Sequence, residues 1–178
     1  MRPWRPGQRK SDTASMLRVD QAGEYGATRI YAGQLAILRR NSPASKLVSR
    51  MADQEKRHLQ RFDALMSERR VRPTVLQPIW NVAGFALGAA TALMSEKAAM
   101  ACTEAVETEI DLHYGQQLDE LGSDDPELAT DIAQFRAEEL EHRDVARDAG
   151  AAQAVAYPLL TAAIRAGCRF AIGLSKRI

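Results

Sequence analysis

Apolar positions along this chain recur every three or four residues over long stretches, set among Glu, Gln, Arg and Lys, and alternating β-branched runs are scarce. That period favours helix, as does the wealth of Ala, Leu, Glu, Gln, Arg and Met. The first helix is expected over 13–40, where Asn41, Ser42 and Pro43 break it. The second is expected over 44–69, followed by "RVRPTVLQP" with Pro73 and Pro78 as stops. A short apolar helix over 79–89 and a third long helix over 91–121 come next. In "GSDDPE", Gly122 is a C-terminal signal, Asp124 or Asp125 an N-cap and Pro126 a first-turn proline. The fourth long helix runs to 149 and Gly150 ends it. A last apolar helix is expected over 154–175. Four long amphipathic helices with short breaks predict an all-α fold, a four-helix bundle with two additional apolar helices. One domain is expected over 16–178, preceded by a basic segment, 1–15, expected to be flexible.

Four of the apolar stripes are interrupted by a glutamate. Glu24 shares its face with Ala27, Tyr31, Leu35 and Leu38; Glu55 with Val48, Met51, His58, Leu59 and Phe62. Glu107 shares its face with Met100, Thr103, Ile110, Tyr114 and Leu118; Glu139 with Leu128, Ile132, Phe135 and His142. Two of the chain's three histidines follow such a glutamate by three residues, in Glu55–His58 and Glu139–His142. The chain therefore reads Glu … Glu-x-x-His twice, once in each helix hairpin. A single Glu-x-x-His on a helix is usually a solvated face. Two copies, each preceded at matching spacing by another glutamate on an apolar face, are a much sharper signal.

Lone buried carboxylates are costly, and four together repel one another as well. Two metal cations reverse that sign, with two imidazoles completing their surroundings. A Glu-x-x-His step sets both side chains on one side of a helix, about one turn apart. This is the di-iron or di-manganese carboxylate pattern of ferritin-like bundles. The expected metal ligands are Glu24, Glu55, His58, Glu107, Glu139 and His142. Zinc is disfavoured, because it usually takes four tetrahedral N/S ligands. Iron fits better, with manganese the lesser alternative. Glu104 and Glu109 flank Glu107 but lie off its face; Glu138 and Glu141 are expected at solvent or rim.

The bulk numbers narrow the class. The formal net charge of +1 and 6% aromatic content give no reason to expect a nucleic-acid partner. Cys102 and Cys168 lack CxxC spacing and are expected to be reduced. No apolar stretch follows the basic start, so no secretory signal is expected and a cytoplasmic, reducing location is the default.

The stretches "RVDQAGEYGATRIYAGQLAIL", "DQEKRHL", "VRPTVLQPIWNVAGFALGAATALMSEKAAMACTEAVE" and "FRAEELEHRD" together resemble the demethoxyubiquinone hydroxylase family of ubiquinone biosynthesis. The likeness runs from Leu17 to the C-terminus and includes all six ligand candidates. It implies a di-iron monooxygenase that hydroxylates the ring of a polyprenylated methoxy-methyl benzoquinol. It further implies that O2 supplies one atom to the ring and one to water, with electrons from NADH, relayed in one version through the quinone. Glu55 and Glu139 would be the bridging carboxylates if the usual bundle pattern holds. His113 lies six residues after Glu107, off the ligand face; it is either a rim histidine or, with Tyr114, an electron or proton relay. Tyr25 and Tyr31 are expected as core aromatics, and Asp20 as a hydrogen-bond partner of a ligand histidine.

A polyprenyl substrate lives in a bilayer. Residues 75–94 are apolar and near spanning length, yet Gln77, Pro78, Asn81, Gly84 and Gly88 weaken a span. Gly84-x-x-x-Gly88 permits close helix contact. The C-terminal helix carries Arg165, Arg169, Lys176 and Arg177, which suits an interfacial helix with basic groups toward lipid phosphates. The expectation is a peripheral membrane protein, on the cytoplasmic face of the inner (cell) membrane, whose two apolar helices face the membrane. The blander alternative makes them bundle-covering or dimer helices. Expected partners are the benzoquinol, O2, the membrane surface and a lipid-binding partner protein of ubiquinone biosynthesis, with a homo-oligomer left open. Rival readings are a ferritin-like iron store, a rubrerythrin-like peroxide-reducing protein, and a non-enzymatic membrane-associated bundle.

Overall fold

The computed structural model describes residues 11–177. These residues form six α-helices and one short 3-10 turn, without a strand among them. The helices are α1 (Thr13–Ile37), α2 (Pro43–Arg69), α3 (Gln77–Met94), α4 (Glu96–Leu121), α5 (Pro126–Asp148) and α6 (Tyr157–Ser175). The 3-10 turn is Ala151–Gln153. The starts follow their caps. Asp12, Ser42, Ser95 and Asp125 each accept a hydrogen bond from the backbone N–H three residues on, and proline opens α2, α3, α5 and α6.

Several boundaries differ from expectation: α1 ends at Ile37 rather than 40, and α3 spans 77–94 rather than 79–89. Thr91 belongs to α3, where its hydroxyl donates to the Leu87 and Gly88 carbonyls, because the apolar run has no breaker before Ser95. Ser95 adopts extended backbone and caps α4 instead. The last helix starts at Tyr157 rather than 154, since the 3-10 turn and a left-handed Ala156 intervene. Residues 1–10 of the segment expected to be flexible lie outside the described residues. Beyond them, Ser11 bonds to Asp124, and α1 begins at Thr13.

α1 packs on α2, and α4 on α5, as two hairpins laid against each other; α3 covers α1 and α4, and α6 covers α4. The α1–α3 contact is close enough to require glycine. A Cβ on Gly88 would stand 1.9 Å from the Ile30 carbonyl oxygen, and one on Gly33 would stand 2.1 Å from that of Phe85. α6 is tied to α4 by Arg165 and Arg169, which both bond to the buried Glu109 carboxylate. Both arginines stay partly exposed while they bond to Glu109.

The core holds an upper and a lower apolar cluster, with a third of Ile30, Cys102, Ala105, Val106 and Ile164 beside them. Of the first two, one holds Tyr31, Val48, Met51, Ala98 to Ala101 and Ala146; the other holds Leu17, Phe62, Leu65, Leu121, Leu128, Ile132 and Phe135. Each of the four long helices threads both clusters and places one glutamate between them. Cys102 and Cys168 are free thiols, and burial pushes each up to about 12.

Candidate metal centre

Glu24 on α1, Glu55 and His58 on α2, Glu107 on α4, and Glu139 and His142 on α5 meet at mid-height of the bundle, each at most 1% exposed. They form two overlapping groups, Glu24–Glu55–His58–Glu139 and Glu55–Glu107–Glu139–His142. Within each group, one donor atom per residue lies within 4.8 Å of the others. Glu55 and Glu139 belong to both. The apolar clusters above and below keep water out, so each uncompensated charge is costly.

The orientation of the histidines follows from what backs them. His58 Nε2 lies 3.0 Å from Glu138 Oε2, and His142 Nε2 lies 2.9 Å from Gln54 Oε1. Both partners only accept, so each Nε2 carries a proton. Each Nδ1 then faces carboxylates. His58 Nδ1 is 2.9 Å from Glu139 and 3.5 Å from Glu24; His142 Nδ1 is 3.1 Å from both Glu55 and Glu139. His58 also stacks on Phe135 at 4.1 Å between ring centroids.

The glutamates at the outer ends are matched as well. Tyr31, seven residues after Glu24, donates to Glu107 Oε1 at 2.7 Å; Tyr114, seven residues after Glu107, donates to Glu24 Oε1. The inner atoms are bare. Glu24 Oε2, both Glu55 oxygens, His58 Nδ1, Glu107 Oε2 and Glu139 Oε1 are buried without a hydrogen-bond partner. Such orphaned atoms normally cost about 1–3 kcal/mol each.

Protein charge alone does not balance this cluster. Burial, followed by the fields of Glu139 and Glu24, holds Glu55 well above the carboxylate range. Burial and Glu139 do the same to Glu107. Burial works against Glu139 too, but His142 and His58 bring it down to about 2. Burial disfavours charge on His58, yet Glu139 and Glu24 push it up to about 11. Four carboxylates face at most two imidazolium charges. A pair of divalent cations among the bare oxygens would balance them with both imidazoles neutral, so the donor set fits such a pair.

The neighbours correct several expectations. Asp20 pairs with His113 Nε2 at 3.2 Å, not with His58 or His142, because it sits on α1 opposite the far turn of α4. His113 is buried rather than at the rim for the same reason. Tyr31 is a core residue whose hydroxyl also serves the centre. Glu138 stands at the rim, as expected, but one of its oxygens holds His58. Glu104 is buried off the centre, bonded to Arg147 and Tyr157. The contacts of Tyr31, Gln54 and Glu138 with the centre are not among the sequence expectations. Their signal was there: the repeat extends to Glu-x6-Tyr at one end and to the residue before Glu-x-x-His at the other.

Comparison with known proteins now places the chain. A 3-demethoxyubiquinol 3-hydroxylase from Rhodospirillum rubrum is 57% identical over 162 residues, 91% of this chain and 76% of the relative. The human NADPH-dependent 3-demethoxyubiquinone 3-hydroxylase, mitochondrial, is 54% identical over 167 residues, 92% of this chain and 76% of the relative. The 5-demethoxyubiquinone hydroxylase, mitochondrial, of Saccharomyces cerevisiae is 45% identical over 179 residues, 92% and 77% respectively. The model of the family described as ubiquinone biosynthesis protein COQ7 matches residues 11–175, and the chain belongs to that family.

Proposed function

We propose that this chain is a 3-demethoxyubiquinol 3-hydroxylase of ubiquinone biosynthesis, working through two iron ions in a ferritin-like bundle. The observation that carries it is the convergence of four buried carboxylates and two imidazoles whose inner atoms are bare. Glu24, Glu55, His58, Glu107, Glu139 and His142 would hold the ions, with Glu55 and Glu139 shared between them. Iron suits an oxygen-rich set with two nitrogens better than zinc. Bound there, it supplies the oxygen-activating chemistry that ring hydroxylation requires.

The chain's own residues do the rest. Glu138 and Gln54 aim the histidines, and Tyr31 and Tyr114 steady the outer glutamates. The two apolar clusters exclude water from the centre. His113 and Tyr114 form the relay, since Tyr114 touches Glu24 and His113 touches Asp20. Electrons come from a reduced nicotinamide. The sequence resemblance implies NADH, whereas the human relative's name carries NADPH.

The prenylated quinol reaches the site from a membrane. No described helix is long and apolar enough to cross one. α3 and α6 nevertheless expose Ile79, Val82, Leu93, Met94, Leu159 and Phe170. A peripheral enzyme lying on these two helices, at the cytoplasmic face of the inner cell membrane, fits that surface. A lipid-binding protein of the same pathway that presents the quinol to it is a further partner of this reading.

The test is genetic and chemical. In a strain lacking its own hydroxylase, the chain should restore ubiquinone and clear the demethoxy precursor, and Glu55→Ala should not. Persistence of the precursor with well-expressed wild-type chain would refute the activity. NADH and NADPH are compared in the purified assay.

A further inference from the structure

The repeat differs between its halves at the residue before each Glu-x-x-His. Gln54 precedes Glu55, and Glu138 precedes Glu139. Each reaches across the bundle to the other hairpin's histidine, Glu138 to His58 and Gln54 to His142. They also meet each other: Gln54 Nε2 donates to Glu138 Oε2 at 3.4 Å. A carboxylate only accepts, so this contact turns the amide carbonyl toward His142. A continuous line, His142–Gln54–Glu138–His58, thus runs behind both imidazoles.

The two backings differ in charge. Glu138 is a carboxylate whose second oxygen accepts from Gln134 at 3.0 Å, and the exposed Arg57 at 3.9 Å screens it little. Gln54 is a neutral amide. A charged acceptor behind an imidazole N–H makes a stronger hydrogen bond and raises the donor power of the opposite nitrogen more than an amide does. The tyrosines on the outer glutamates match, so they do not offset this difference.

We infer that Glu138 and Gln54 are positioning residues that make the two metal positions unequal. The position served by Glu24, Glu55, His58 and Glu139 takes a divalent ion before the one served by Glu55, Glu107, Glu139 and His142. The inference rests on the two-metal reading above and adds an order of filling to it.

The experiment uses the full chain, stripped of metal and given one equivalent of Mn2+. Anomalous scattering from crystals locates the ion. In wild type the His58 position should be occupied at least about tenfold over the His142 position, the scale on which such backing residues act. Glu138→Gln, an isosteric change, should bring the two occupancies close to parity. The exchange Gln54→Glu with Glu138→Gln should reverse the order. Equal filling in wild type, or an undiminished preference in Glu138→Gln, overturns the inference while leaving the metal pair intact. Failure of wild type to bind Mn2+ even in excess would instead refute the two-metal reading, and this inference with it. Should the exchanged variant fail to fold, Glu138→Gln alone decides.

Discussion

At the scale of single residues, the structure is governed by what surrounds four carboxylates. Without metal, Glu55 and Glu107 are held above the usual range and His58 is raised to about 11, so the folded chain binds more protons than the unfolded one. Stability from a group with a raised folded pKa is present below its unfolded value and is lost as pH rises toward the folded one. For the glutamates that window opens near 4.5, and for His58 near 6.5. The depressed Glu139 has made its contribution by about 4.5. From about pH 5 to 8 the signs therefore agree: the metal-free protein should lose thermal stability as pH rises. The metal-loaded protein should not, because metal displaces those protons, and the gap in Tm between the two should widen with pH. Calorimetry of both forms at pH 5, 6.5 and 8 checks this. Glu55→Gln replaces a carboxyl that the metal-free folded chain must keep protonated with a permanently neutral amide. It should raise the Tm of the metal-free protein, on the order of 2–4 °C per kcal/mol relieved, and abolish stabilisation by added iron. A lower Tm in the metal-free variant would show that Glu55 was already compensated.

At the scale of helices, caps and close approaches decide how the ligand-bearing segments meet. Asp125 caps α5 and pairs with Arg69 at the end of α2, and that guanidinium outweighs burial and lowers its carboxyl pKa. Asp125→Ala should cost about 1–2 kcal/mol, mostly the lost cap, and Asp125→Asn less. The ionic part is present above the unfolded pKa and fades as pH falls through the lower folded value, so the wild-type advantage should narrow in acid. Gly88→Ala drives a methyl group into the Ile30 carbonyl and should cost about 2–3 kcal/mol. Gly23→Ala meets nothing within 4 Å and should stabilise by about 0.5–1 kcal/mol. Denaturant unfolding of the pair separates the two. These elements also show what a sequence conveys. Helix existence follows from period and breakers, and the four glutamates stood out because each interrupts an apolar stripe. Thr91 reads from sequence as an α4 residue because Ser95, a lone cap without glycine or proline, is a weak signal. Asp20 and His113 are not legible because their partners lie on other helices, and helical phase says nothing about which helix faces which; Gln54 and Glu138 are marked only by their place before each Glu-x-x-His.

At the scale of the whole molecule, a charged centre is enclosed by a bundle whose α3 and α6 present apolar side chains outward. The interior holds Glu/His groups that could bind a cation pair, and under the proposed function the exterior would bring a lipid-soluble ring near them. Liposome flotation should therefore carry the wild-type chain, and Val82→Asp with Phe170→Asp should leave it in solution with its metal content unchanged. Loss of metal in that variant would mean these residues support the core instead. The centre itself is tested most directly by 57Fe Mössbauer spectroscopy on the iron-loaded, oxidised full chain. Two irons per chain with the diamagnetic ground state of a carboxylate-bridged ferric pair are predicted. One iron or none per chain, or two magnetically isolated ferric ions, would contradict a centre in which Glu55 and Glu139 are shared.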